Sequence, residues 1–171
     1  MTAPIPLPAP GAISLENWGI PLTQRVNSLV AAGIPRGFVA EAFGTATTTA
    51  TSATEVFHIT LTFATVAGRR YEVNWDGNYA GSAGGNLMQI RTRYAVGNSV
   101  TSGGTLLRSK QLHAVASVTL DTGMNATFVS ATTGNYTIGV SIALAAGAGN
   151  VSVGFSASNQ TTRMAVYDCN V

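Results

Sequence analysis

The sequence predicts an all-β fold, an antiparallel sandwich, behind an extended proline-rich arm and one short helix. Two observations carry that expectation. All six prolines lie within the first 35 residues; proline lacks a ladder donor and is excluded from central strands, so the proline-free remainder can run as continuous sheet. From Phe38 onward apolar residues recur with a period of two, as they do in strands with one buried face.

The arm comes first. Pro4, Pro6, Pro8 and Pro10 alternate with Ile5, Leu7 and Ala9, a pattern that disfavours helix and sheet and favours an extended, polyproline-like segment. An arm this apolar is expected to lie on a surface. The helix follows, with Leu22, Val26, Leu29 and Val30 on one face, Pro21 in its first turn and Gly33 at its C-terminal cap. Three turns are marginal alone, so the stripe must dock, either on its own β-domain or on a neighbour, with Trp18 as an anchor. Residues 1–37 are therefore read as a docking segment and 38–171 as the β-sandwich domain. The candidate partner-binding residues are Pro4, Ile5, Pro6, Leu7, Pro8, Trp18, Leu22, Arg25, Val26 and Leu29.

The strands are read in chain order. Phe57, Ile59, Leu61 and Phe63 share one face and His58, Thr60 and Thr62 the other; Tyr71, Val73 and Trp75 repeat the pattern, then Met88, Ile90, Tyr94 and Val96. Ala114, Ala116, Val118 and Leu120 follow, then Thr127 and Val129, then Tyr136, Ile138, Val140, Ile142 and Leu144, then Val151, Val153 and Phe155, and last Met164 and Val166. Turn signals separate them: Ala67-Gly68, Asp76-Gly77, Gly84-Gly85, Gly103-Gly104, Asp121-Thr122-Gly123, Thr133-Gly134-Asn135 and Gly147-Ala148-Gly149. Eight or nine short strands make a sandwich, and eight suggest a jelly-roll-like arrangement.

Composition narrows the function. Only 9% of the 171 residues are charged and 46% are hydrophobic, so the outward positions are small and neutral. Isolated domains usually keep faces and edges charged, whereas a protein whose working state is an assembly can leave them neutral. The chain is expected to pack against copies or partners. A net charge of +2, with Arg69, Arg70, Arg91, Arg93 and Arg108 dispersed along strands, makes no nucleic-acid footprint. No apolar run has the length of a membrane span, and the first residues lack the charged and apolar regions of a secretory signal, so synthesis in a cytoplasm is expected. Cys169, the single cysteine, has no internal disulfide partner.

The chemical inventory is thin. His58 and His113 fall on the polar sides of their strands, the seven carboxylates show no paired spacing, and no HxH, ExxH or CxxC starts a metal site; no cofactor is expected. Gly81-Ser82-Ala83-Gly84-Gly85-Asn86 lacks the following helix and lysine of a phosphate loop and reads as a hairpin. Asp121-Thr122-Gly123 is the tripeptide of aspartic proteases, in which two such carboxylates share a proton, but Met124-Asn125 follows it and no apolar-Gly-Arg segment comes later; between alternating runs it reads as a hairpin turn.

From residue 16 onward the order of signals resembles a family of virion proteins from tailed phages of actinobacteria. The resemblance rests on Trp18-Gly19, Pro21-Leu22-Thr23, Arg25-Val26-Asn27, Leu29, Ala40-Glu41-Ala42, Glu55-Val56, Gly68-Arg69-Arg70-Tyr71-Glu72-Val73 and Val166-Tyr167-Asp168. It implies a small jelly-roll-like module, often trimeric, that decorates or cements the capsid or sits on the tail as a minor component. The chain departs from the pattern in its prolonged arm and in Cys169-Asn170, where Asp-x-Gly is expected. The expectation is thus a non-enzymatic phage virion protein: a homotrimeric capsid decoration protein bound to the major capsid protein, or else a minor tail protein. Two remoter readings are a carbohydrate-binding module stacking a sugar on Trp75 or Tyr79, and a protease using Asp121.

Overall fold

The computed structural model describes residues 37–116, 118–154 and 162–169, all within one unit, Arg36–Asn170. The arm and the helix expected at residues 1–36 lie outside the described residues, as does Phe155. Ten strands follow in order: β1 (Gly37–Gly44), β2 (Thr48–Ala50), β3 (Val56–Thr65), β4 (Arg70–Gly81), β5 (Asn86–Val96), β6 (Thr105–Ala114), β7 (Leu120–Val129), β8 (Gly134–Ala146), β9 (Val151–Val153) and β10 (Thr162–Asp168). They form two sheets, and all of the strand pairings are antiparallel. One sheet runs β1-β10-β4-β9-β2, with β7 also on β4, and the other runs β3-β8-β5-β6. Without the three-residue strands β2 and β9, the two faces are β1-β10-β4-β7 and β3-β8-β5-β6. The chain crosses repeatedly between them. This is the eight-stranded jelly roll, as expected from the sequence.

The core sits between the sheets. Tyr71, Val73 and Trp75 of β4 and Met164 and Val166 of β10 face Met88 and Ile90 of β5 and Tyr136, Ile138, Val140 and Ile142 of β8, all buried. Burying each such side chain contributes about 1.5–3 kcal/mol. Trp75 needs space: a Cβ on Gly77 would stand 2.6 Å from its Cζ2 and 2.7 Å from Thr162 Cγ2. At the opposite end Phe128 stacks on Tyr94 with centroids 5.0 Å apart and on Tyr71 at 5.5 Å. The hydroxyls there tie down turns, Tyr71 accepting from the Val66 N–H and Tyr136 from the Ala131 and Thr132 N–H groups. Beside them Arg69 Nη1 meets Asp168 Oδ2 at 2.6 Å, with side-chain exposures of only 4% and 1%.

Several local expectations are corrected. Asp76-Gly77 and Asp121-Thr122-Gly123 are not turns; both lie inside strands, opposite one another, with Asp76 paired to Gly123 and Asn78 to Asp121. The glycines serve close approach instead, Gly77 to Trp75 and Gly123 to Asp76. The 114–120 strand is broken: β6 ends at Ala114, and the Val118 N–H bonds back to the Val115 carbonyl. In β7 the inward residues are Met124, Ala126 and Phe128, and Val129 is 58% exposed, because the Phe128 ring completes the aromatic stack. In β3 a bulge between Phe57 and Ile59 reverses the faces of two residues. Phe57 turns outward over Gly139, and His58 turns in to the hydroxyls of Thr48 and Thr162.

Candidate functional surface

The register lays out the outer face of the larger sheet. One row across β1, β10, β4 and β7 is Phe43, Arg163, Asp76 and Gly123; the next is Glu41, Ala165, Asn74 and Asn125; the third is Phe38, Tyr167, Glu72 and Thr127. Arg163 pairs with Glu41, Nε and Nη2 each 2.9 Å from Oε2. Asn125 Nδ2 donates to Glu72 Oε1 and Asn74 Oδ1, both at 2.6 Å, and Asn74 Nδ2 donates to the same Glu72 oxygen at 3.0 Å. Cys169 Sγ lies 3.7 Å from Glu72 Oε2; burial, reinforced by that charge, pushes its thiol pKa up. Between these side chains runs a groove of about 410 Å³, lined by Asn74, Asp76, Gly123, Asn125, Arg163, Ala165 and Tyr167 together with the largely buried Trp75 and Met124. It is open beside Asp76 because a Cβ on Gly123 would stand 2.7 Å from Asp76 Oδ1.

The outer face of the smaller sheet is covered at its centre. Thr137, Ser141 and Ala143 of β8 point outward and are nonetheless buried. A Cβ on Gly139 would meet the Phe57 ring at 2.6 Å and Val100 Cγ1 at 2.7 Å. Glu55 completes the cover: Arg93 Nε and Nη2 donate to it at 2.9 and 2.7 Å, Ser141 Oγ at 2.8 Å and Arg91 Nη1 at 2.5 Å. The Arg93 hydrogen bonds, against the opposing effect of burial, hold the Glu55 carboxyl at a pKa of about 2. Along the edge between the sheets, Arg108 Nη1 donates to the Asn125 carbonyl at 3.0 Å, and Lys110 Nζ donates to Thr122 Oγ1 at 3.0 Å and the Gly123 carbonyl at 3.3 Å. Cations placed there blunt two strand edges at once.

His58 sits in a small cradle. Its Nδ1 lies 2.9 Å from Thr48 Oγ1 and its Nε2 2.6 Å from Thr162 Oγ1, and burial lowers its pKa from 6.5. Gly44 and Gly154 leave room for the ring, since a Cβ at either would come within 3 Å of it. The notable outward feature is apolar: Phe38, Phe43, Val56, Val96, Leu106, Val115, Val118 and Val129 are each between 38% and 64% exposed.

The candidate partner-binding residues Pro4, Ile5, Pro6, Leu7, Pro8, Trp18, Leu22, Arg25, Val26 and Leu29 all lie outside the described residues. Trp75 and Tyr79, considered as sugar platforms, are 1% and 7% exposed and belong to the core. Asp121 is exposed in β7 rather than in a turn. The groove and the Glu55 cluster were missed. Their residues are far apart in sequence, and the only local sign is a polar side chain at every second strand position.

No family model matches the chain, and no curated protein does. Among solved structures it is similar to a chain of infectious bursal disease virus, Gx strain, at 10% identity and a TM-score of 0.44, over 81% of this chain and 37% of that one. It is likewise similar to the VP2 subviral particle of that virus, at 8% identity and a TM-score of 0.43, over 81% of this chain and 38% of the other. A third similarity is to a carbohydrate-binding module of Cellvibrio mixtus lichenase 5A in complex with cellotriose, at 16% identity and a TM-score of 0.36, over 75% of this chain and 97% of that one. The chain thus spans little more than a third of the viral chains it matches.

Proposed function

We propose that the chain is a virion structural protein, a homotrimeric decoration protein that cements the head of a tailed phage by binding between major capsid subunits. The observation that carries this reading is the surface: a jelly roll with few charges that leaves eight large apolar residues exposed among the described residues, Phe38 and Phe43 included. Exposed apolar groups on a weakly charged surface favour association, and the jelly roll is an architecture of capsid and lectin domains. The action is adhesive rather than catalytic. A small module that buries surface against two capsid subunits makes their separation break contacts worth several kcal/mol per interface. Residues 1–37 are assigned to the capsid contact and the sandwich to trimerisation, the arm's prolines reducing the entropy lost when it orders.

The test uses phage heads stripped of the protein and then resupplied with it. Added protein is expected to bind and to raise the temperature at which heads release DNA, and a form lacking residues 1–12 is expected to fold and not bind. Heads that neither take up the protein nor gain stability would refute the decoration reading.

A further inference from the structure

We propose that the groove on the outer face of the larger sheet binds a neutral glycan through adjacent hydroxyl groups. Its floor is Ala165 and Gly123, the smallest side chains in their rows, and its walls are Tyr167, Arg163, Asn74, Asp76 and Asn125. The volume of about 410 Å³ lies in the range of small-molecule sites, roughly 300–1,000 Å³.

The lining selects the class of ligand. Arg163 stands beside Asp76 in the register but gives its ion pair to Glu41 at 2.9 Å, leaving the Asp76 carboxylate exposed at the groove wall. The groove does not select for an anion: Glu41, Glu72 and Asp76 outnumber Arg163 on these three rows, and Arg108 and Lys110 at the adjoining β7 edge are bonded to the Asn125 and Gly123 carbonyls. A metal ion has no ligand set: among the described residues no three His, Cys, Asp or Glu side chains come together to hold one. An apolar ligand would strip water from a guanidinium, a carboxylate and two carboxamides with nothing in return. A sugar fits each group. Neighbouring hydroxyls donate to the Asp76 carboxylate and the Asn125 side-chain oxygen and accept from the Arg163 guanidinium and the second N–H of Asn74 Nδ2, and the apolar face of the ring lies against Tyr167. The mutual bonds of Asn74, Asn125 and Glu72 at 2.6–3.0 Å pre-set the carboxamide positions, which reduces the ordering lost on binding. This site is independent of the virion reading.

Saturation-transfer NMR and calorimetric titration of the full chain with cellotriose, maltotriose and mannotriose test it, with tri-galacturonate and spermidine as charged controls. At least one neutral trisaccharide is expected to bind. Asp76→Ala should weaken that binding about tenfold or more by removing a charged hydrogen-bond acceptor. Gly123→Thr, a residue better suited to a strand, should fill the groove and displace Asp76, abolishing binding without lowering the melting temperature. Failure of all three sugars to bind, binding unchanged in both variants, or preference for spermidine or tri-galacturonate would each overturn the proposal.

Discussion

Removing the carboxylate of Asp168 should be the most damaging single change to the described domain. Asp168 ends β10, a central strand, and its Oδ2 meets Arg69 Nη1 at 2.6 Å with both side chains almost wholly buried. Arg69 leads into β4, and its carbonyl accepts from the N–H of Ser130, next after β7, while the Ser130 carbonyl accepts from the Gly68 N–H. One pair therefore holds three strands of the larger sheet together. Asp168→Ala strips a buried guanidinium of its carboxylate, which costs about 3–5 kcal/mol. For a domain of this size that is a fall of about 10–20 °C in melting temperature. Urea unfolding followed by circular dichroism measures it as a lower midpoint at unchanged slope. Arg69→Met with Asp168→Leu should recover most of the loss, because well-packed apolar residues can replace a buried ion pair. A loss below about 1 kcal/mol in Asp168→Ala would refute the reasoning.

Two pH effects follow from the buried groups, and their windows differ. The Glu55 pKa falls from 4.5 to about 2 on folding, chiefly through Arg93, so its contribution is complete above pH 4.5 and is lost as pH falls toward 2; Glu55→Gln should flatten that part of the profile of unfolding free energy against pH, by up to about 3 kcal/mol. Burial lowers the His58 pKa below 6.5, so acid favours the unfolded chain, and stability should decline as pH drops below 6.5, a decline that His58→Gln should remove. Gly77→Ala places a methyl group against Trp75 and Thr162 inside a packed core and should cost about 1–3 kcal/mol in the same urea titration.

Legibility tracked how regular each strand is. The alternation of β4 and β8 could be read directly, because the residues facing the other sheet are large and apolar from Tyr71 to Trp75 and from Tyr136 to Ile142, and in β10 Met164 and Val166 carry it between the buried polar Thr162 and Asp168. In β3 the alternation misleads, since one extra residue at the bulge exchanges the faces of Phe57 and His58. β6 escaped because Arg108 and Lys110 spend their length bridging to β7 and Leu106 faces out, so no clean period survives. Asp-Gly and Asp-Thr-Gly are turn signals in isolation; here Gly77 and Gly123 answer to neighbours that only the folded sheet brings near. The groove depends on cross-strand register between β10, β4 and β7, a relation over about 90 residues of chain that no local pattern encodes.

The most direct measurement is where the protein resides on a particle. Gold-labelled antibody against the sandwich domain, applied to purified intact virions and viewed by electron microscopy, should mark the head at many regularly spaced positions. Label confined to the tail would contradict the decoration role while leaving a virion role in place, and particles without label, checked by mass spectrometry for absence of the protein, would contradict both.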